Sequence, residues 1–357
     1  MLIFDGHLDL AMNAVQWNRD ISRPLDEVRR REAKLTDKYD RGHGTVTLPE
    51  MRAGRVGLCV ATQIGHSVAE DNPVPGYNSP EIAWAQTQAQ LAWYRAMEER
   101  GEMVQIVDRA GLDRHADLWL SGAAGDDAPI GYILSLEGAD SIITLGHLER
   151  AYGYGLRALG PAHYSVGRYA PGTGVEGQLT PIGRELVQEM ARLGVILDIT
   201  HLTDDSFWEA LALYDGPAVW ASHNNCRALV PHQRQLSDDM LRALFERDAV
   251  IGAAFDAWMM TPGWIRFQTM PQDTGVKIAT IVDHIDHICQ LAGNARHVGI
   301  GSDLDGGYGT EQTAIDLNSI ADLQRLTGLL GDRGYSADDI AGIMHGNWLR
   351  VLRRAWG

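Results

Sequence analysis

Side chains able to hold a metal ion recur at the ends of short apolar runs: His7 and Asp9, then Glu137, His201, His223 and Asp303. His7-Leu8-Asp9 is an His-x-Asp pair, and residues two apart on an extended strand project from the same face. Both groups can therefore grip one ion. Imidazole and carboxylate ligands suit Zn²⁺ and its first-row neighbours, and without thiolates in the set they do not single out zinc. Two ions suit this set better than one, with His7 and Asp9 on the first and His201 and His223 on the second. A carboxylate between the pairs would give one oxygen to each ion.

Glu137 is the expected bridge. The chain has only three lysines, Lys34, Lys38 and Lys277, and none ends an apolar run, so a carboxylated lysine cannot take that part. A buried glutamate left without partners would cost several kcal/mol. A water shared by two zinc ions has its pKa lowered from about 15.7 to roughly 7, which makes a bridging hydroxide available at neutral pH. The expected chemistry is hydrolysis.

The elements that must position these groups are the apolar runs themselves, at 2–9, 56–64, 130–137, 156–163, 195–201, 218–223, 250–255 and 298–303. They are rich in Val, Ile and Leu with little polar alternation, as in strands buried on both faces of a parallel sheet. Helical patterns fill most of the gaps. Thr180-Pro181 reads as an N-cap followed by proline at the first helical position, with a core stripe of Ile182, Leu186, Met190 and Leu193 and a stop at Gly194. A second stripe, Ile281, Ile285, Ile288 and Leu291, ends at Gly293. Strands alternating with helices over 357 residues predict one α/β domain, 1–357, built as a (β/α)8 TIM barrel with insertions. In that architecture the carboxyl ends of the strands form the active-site mouth, so all six residues would meet in one cavity.

Composition narrows the function classes. With 31 basic and 47 acidic residues the net charge is −16, which argues against binding nucleic acid or an anionic membrane. Arg29-Arg30-Arg31 reads as a solvated helix face. Cys59, Cys226 and Cys289 are too few and too scattered for a disulfide framework or a thiolate zinc site, so a reducing, cytoplasmic setting is expected. No apolar stretch approaches the roughly 20 residues that cross a bilayer. Residues 71–80, with three prolines, and 167–180, rich in glycine, read as loops, the second as a wall or flap over the cavity.

Asp5-Gly-His-Leu-Asp9, Ser135-Leu-Glu-Gly138, Ile199-Thr-His201, Ala221-Ser-His223 and Gly301-Ser-Asp-Leu-Asp-Gly306 together resemble the motif set of the renal (membrane) dipeptidase family, metallopeptidase family M19 of the amidohydrolase superfamily. Leu48-Pro-Glu-Met-Arg-Ala-Gly54 and Leu179-Thr-Pro-Ile-Gly183 extend the likeness over most of the chain. The resemblance implies a binuclear zinc dipeptidase acting on small L,L and L,D dipeptides, with the same partition of ligands and with Glu137 bridging. It implies that Asp303 passes a proton from water to the leaving amine, that His163 polarises the scissile carbonyl, and that Arg234 pairs with the substrate's terminal carboxylate. It also implies a homodimer. Met259 stands where mammalian members place a substrate-contacting tyrosine, and Tyr164, Arg168 and Tyr169 also differ from the mammalian text.

The same site could serve an amidohydrolase of N-acyl amino acids, lactones or phosphoesters. A barrel that merely binds metal would have no use for Asp303. A mononuclear deaminase would carry His-x-His where Asp9 stands. Asp283-His-Ile-Asp-His287 reads as a solvated helix face and His66 as loop filler. Trp84, Trp93 and Trp348 read as packing, with Trp258 and Trp264 as walls of the cavity.

Overall fold

A computed structural model of the chain describes residues 1–69 and 75–357. Among them nine strands form one sheet: β1 (Ile3–Leu8), β2 (Val56–Ile64), β3 (Met103–Gln105), β4 (Ile130–Glu137), β5 (Leu156–Gly160), β6 (Ile196–Asp198), β7 (Val219–Trp220), β8 (Ile251–Ala253) and β9 (Val298–Ile300). Eight of them run β7-β6-β5-β4-β2-β1-β9-β8, with every pair parallel. A bridge between Ala221 and Ile251 joins the two ends of that path and closes the barrel. The Ala221 N–H donates to the Val250 carbonyl at 3.0 Å and the Gly252 N–H to the Ala221 carbonyl at 2.8 Å.

All eight expected strands are present because their residues are buried on both faces, as in β1 and β4, where every residue is enclosed. The sequence reading missed β3. Its three residues pair with Ile130–Tyr132 at the start of β4, on the side that β5 takes from Leu134 onward. A run that short carries no periodic signal.

The connecting helices follow their caps more closely than their stripes. In Pro181–Leu193 the Thr180 hydroxyl accepts the Gly183 N–H at 3.1 Å, and Gly194 ends the helix in the left-handed region at φ 76°. Leu186 and Met190 are buried as expected, but Ile182 is 40% exposed and Gly183 and Val187 are buried in its place. The reason is a close approach: a Cβ on Gly183 would lie 1.9 Å from the Tyr169 carbonyl oxygen, so the helix start presses against that backbone and turns Ile182 outward.

In Ile278–Ala292 the expected Ile281, Ile285 and Ile288 are buried, but so is His284. The expectation of a solvated face fails there. His284 Nδ1 accepts the Cys226 N–H at 3.2 Å and Nε2 donates to the Met260 carbonyl at 3.1 Å, so the ring ties this helix to two loops. Asp283, Asp286 and His287 do lie at the surface side, engaged by Arg333, Tyr335 and Asp238.

Trp348, in the helix Asn347–Ala355, is fully buried against Phe4 and Trp220 and donates through Nε1 to the Ile300 carbonyl at 2.9 Å. It fills the space that side chains at Gly6 of β1 and Gly299 of β9 would take, since a Cβ there would come within 2.2 and 2.4 Å of the indole. The three cysteines are buried and free. Among the described residues no helix is long and apolar enough to cross a membrane.

Candidate active site

Apart from Arg234, which lies in the long loop after β7, each candidate residue sits at the carboxyl end of a strand. His7 lies in β1 with Asp9 just past it, Glu137 is the last residue of β4, and His163, His201, His223 and Asp303 each stand three residues beyond β5, β6, β7 and β9. His201 and Asp303 hold the backbone at φ 70° and 58°, a left-handed conformation that costs energy for a side chain other than glycine and concentrates at functional sites. Buried carboxylates fix these turns. Asp5 Oδ1 accepts the N–H groups of His7 and Ser302, tying β1 to the turn after β9. Asp198 Oδ1 does the same for Thr200 and Ser222, joining the ends of β6 and β7.

The side chains then converge. Glu137 Oε1 lies 3.1 Å from His201 Nε2 and 3.4 Å from His223 Nε2, while its Oε2 lies 3.7 Å from His7 Nε2. His7 Nε2 is also 3.7 Å from Asp9 Oδ2 and 3.8 Å from Asp303 Oδ1. The opposite nitrogen of each imidazole is held by a hydroxyl: Thr173 Oγ1 at 2.8 Å from His201 Nδ1, and Ser222 Oγ at 2.9 Å from His223 Nδ1 and 3.4 Å from His7 Nδ1. Such outer contacts orient metal-binding histidines and select the tautomer that presents Nε2.

Burial dominates the electrostatics. It pushes Glu137 up to about 8 and holds Asp303 well above the usual carboxylate range. Burial, with Arg234 nearby, holds His163, His201 and His223 well below the ordinary imidazole value, so they are neutral donors of lone pairs. His7 is the exception. Burial works against its imidazolium, but the carboxylates of Glu137, Asp9 and Asp303 outweigh it and push the ring up to about 10.

The donor set fits divalent cations. His7 Nε2, Asp9 Oδ1 and Glu137 Oε1 are buried with no hydrogen-bond partner among the described residues. Three overlapping trios have ligand atoms within 4.8 Å of one another: His7, Asp9 and Glu137; Glu137, His201 and His223; His7, His223 and Asp303. Imidazoles and carboxylates brought that close, in a buried pocket, suit a positive ion.

The family described as membrane dipeptidase, peptidase family M19, matches residues 1–356. The chain belongs to that family. It is a metallo-dipeptidase of family M19, and named dipeptidases are among its relatives. An uncharacterized protein in the pqqA 5′ region of Klebsiella pneumoniae is 30% identical over 243 residues, 65% of this chain and 84% of the relative. Dipeptidase aclJ of Aspergillus oryzae is 28% identical over 362 residues, 98% of this chain and 76% of the relative. Among solved structures, the metallo peptidase dipeptidase AC of family M19 superposes with a TM-score of 0.78 at 25% identity, covering 100% of this chain and 99% of that one. A Rhodobacter sphaeroides metallo peptidase, liganded with a phosphinate mimic of L-Ala-D-Ala, shares the fold with a TM-score of 0.77 at 24% identity, covering 100% and 99%.

In this M19 chain the cluster opens into a cavity of about 500 Å³, a size suited to a small ligand. Asp9, Glu137, His163, His201, His223, Arg234 and Asp303 all line it. His7 adjoins Asp9, Glu137, Asp303 and His223 without lining the cavity itself. Arg234 is buried and donates through Nη2 to the His223 carbonyl at 2.9 Å, while Nε and Nη1 have no partner among the described residues. That leaves Nε and Nη1, on either side of Nη2, to donate to a carboxylate.

Some expectations about the walls fail. Trp258 and Trp264 do not line the cavity; Trp258 turns its Nε1 to Asp256 at 2.7 Å, and Met259 takes the wall position. No residue of the 167–180 loop lines the cavity; its link to the site is Thr173, behind His201. The 71–80 stretch falls partly outside the described residues. His66, read as filler, is a wall residue whose Nδ1 lies 2.7 Å from Asp140 Oδ2, leaving Nε2 unpartnered among the described residues. Asp256, Lys38 and Arg266 also line the cavity, and nothing local in the sequence marks them.

Proposed function

We propose that this protein hydrolyses the peptide bond of small dipeptides, L,D as well as L,L, with two zinc ions as cofactor. The observation that carries the reading is Glu137, which turns one oxygen to His201 and His223 and the other to His7, inside the cavity where Arg234 offers unpartnered guanidinium N–H groups. His7 and Asp9 would hold the first ion, His201 and His223 the second, and Glu137 both. Bound there, the ions would act as Lewis acids and lower the pKa of a shared water.

The chain's own residues do the rest. Arg234 fixes the terminal carboxylate by charge-assisted hydrogen bonds and so sets the scissile bond at a constant distance from the cluster. His163, neutral through burial, donates a hydrogen bond to the carbonyl oxygen as negative charge develops on it. Asp303 accepts the proton of the attacking water and passes it to the departing amine nitrogen, which cannot leave as an anion. All of residues 1–357 serve this one site as a single domain. A cytoplasmic location belongs to the same reading, supported by three free cysteines; the homodimer rests on the family resemblance.

The test is purified protein reconstituted with zinc and offered a library of L,L and L,D dipeptides beside N-acetylated and C-amidated controls. Release of free amino acids from dipeptides and not from the amides is expected. Hydrolysis of the amides alone, or of no dipeptide with both metals bound, would overturn the assignment.

A further inference from the structure

The outer wall of the cavity carries two cations that the proposed reaction does not use. Lys38 and Arg266 both line it, from loops far apart in sequence, and both are exposed. Lys38 Nζ lies 4.5 Å from the centre of the Trp17 ring, and Trp17 is itself a wall residue. The Arg266 guanidinium lies 5.1 Å from the Phe267 ring centre and reaches the Gly307 carbonyl at 3.4 Å. Among the described residues neither cation lies within 4.0 Å of a carboxylate oxygen, although Asp256 feels the charge of Arg266 and Asp37 that of Lys38. The nearby arginines differ: Arg19 is saturated by Glu32 and Asp40, and Arg41 by Glu32 and Asp37. Asp256, the acidic group nearest Arg266 on the wall, has both oxygens engaged by Gln312 and Trp258.

The two loops also touch. Tyr39, next to Lys38, meets Phe267, next to Arg266, edge to face with ring centres 4.7 Å apart. That contact holds the two cations on one rim, in a chain whose net charge of −16 would otherwise repel an anion. Arg234, at the inner end, can satisfy only one carboxylate. A substrate with two carboxylates would leave the second for the rim.

We propose that Lys38 and Arg266 form a rim subsite for a carboxylate-bearing side chain, so that the preferred substrates are dipeptides containing aspartate or glutamate. This rests on the dipeptidase reading and names its substrate class. The two cations are specificity-determining residues. Exposed ion pairs are individually weak, so the pair together should favour an acid over its amide by about tenfold, with the advantage screened by salt.

The experiment compares kcat/KM of the zinc-loaded protein for Ala-Glu against Ala-Gln and for Glu-Ala against Gln-Ala, each at low and high salt. An acid-to-amide ratio of about ten in at least one pair, residing in KM and falling with salt, is expected. In the double variant Lys38→Gln, Arg266→Gln the ratio should fall to about one. Arg266→Glu alone should turn the preference toward lysine-containing dipeptides. Equal hydrolysis of acid and amide by the wild-type protein, or a ratio unmoved by the double variant, overturns the rim subsite and leaves the dipeptidase reading standing. Hydrolysis of none of the four overturns both.

Discussion

Thr173 Oγ1 lies 2.8 Å from His201 Nδ1, reaching from a loop 28 residues upstream, and so turns the opposite nitrogen toward Glu137. A residue with no contact to substrate thereby sets the angle of a proposed ligand. Thr173→Val keeps the shape and removes the hydroxyl. Its expected effect is a loss of about 10- to 100-fold in affinity for the ion on the His201 side, measured by competition with a chromogenic chelator. Unchanged affinity would mean that packing alone orients the ring.

Asp303→Asn separates proton transfer from metal binding. Asparagine can neither take the proton from water nor return it to the amine, so kcat should fall by about 10²- to 10⁴-fold while metal content stays constant. Asp303 Oδ1 is 3.8 Å from His7 Nε2, close enough that ligation is the competing role. Metal analysis of the variant decides between them: loss of an ion in step with activity would make Asp303 a ligand.

Arg234→Ala removes the clamp. A charge-assisted pair is worth about 1.5 to 3 kcal/mol, so KM for dipeptides should rise about 10- to 100-fold. A neutral ester or lactone hydrolysed by the same centre would be nearly indifferent to the change. Arg234→Lys should recover little, because a shorter, compact ammonium does not reproduce the spread of donors on the guanidinium.

The fold was legible where burial on both faces made a strand continuously apolar, and the site was legible because its polar groups interrupt those runs at their ends. Glu137 closes the apolar β4 and His7 interrupts β1, so type and place pointed the same way. Supporting groups were hidden. Thr173 and Ser222 are ordinary hydroxyls until the fold sets them behind histidines. Lys38 and Arg266 lie 228 positions apart and share one rim only because Tyr39 and Phe267 bring their loops together. His284 was misread since a buried polar side chain that satisfies two backbone groups leaves the same pattern as a solvated one. The short β3 fell below the length at which period can be seen.

Glu311 should make stability depend on pH. Its Oε1 accepts the Gly309 N–H at 2.9 Å while Oε2 is buried without a partner among the described residues. Burial, aided by Asp40 and Asp305, pushes it up to about 7 from an ordinary value of 4.5. A carboxyl raised in the folded state contributes stability that is complete below pH 4.5 and is lost as pH rises through 7. Glu311→Gln, which keeps the accepting oxygen, should therefore gain on the wild type across that window, levelling at about 2 to 3 kcal/mol above it. Paired thermal melts from pH 4 to 8 read the difference. A constant gap across that range would show that Glu311 does not titrate there.

The central claim is that Glu137 gives one oxygen to each of two cations. Anomalous diffraction from zinc-loaded crystals, with metal counted per chain, tests it most directly. Two ions are predicted, one against His7 and Asp9 and one against His201 and His223, with a different oxygen of Glu137 on each. A single ion per chain, or two ions with Glu137 bound to only one, would contradict it.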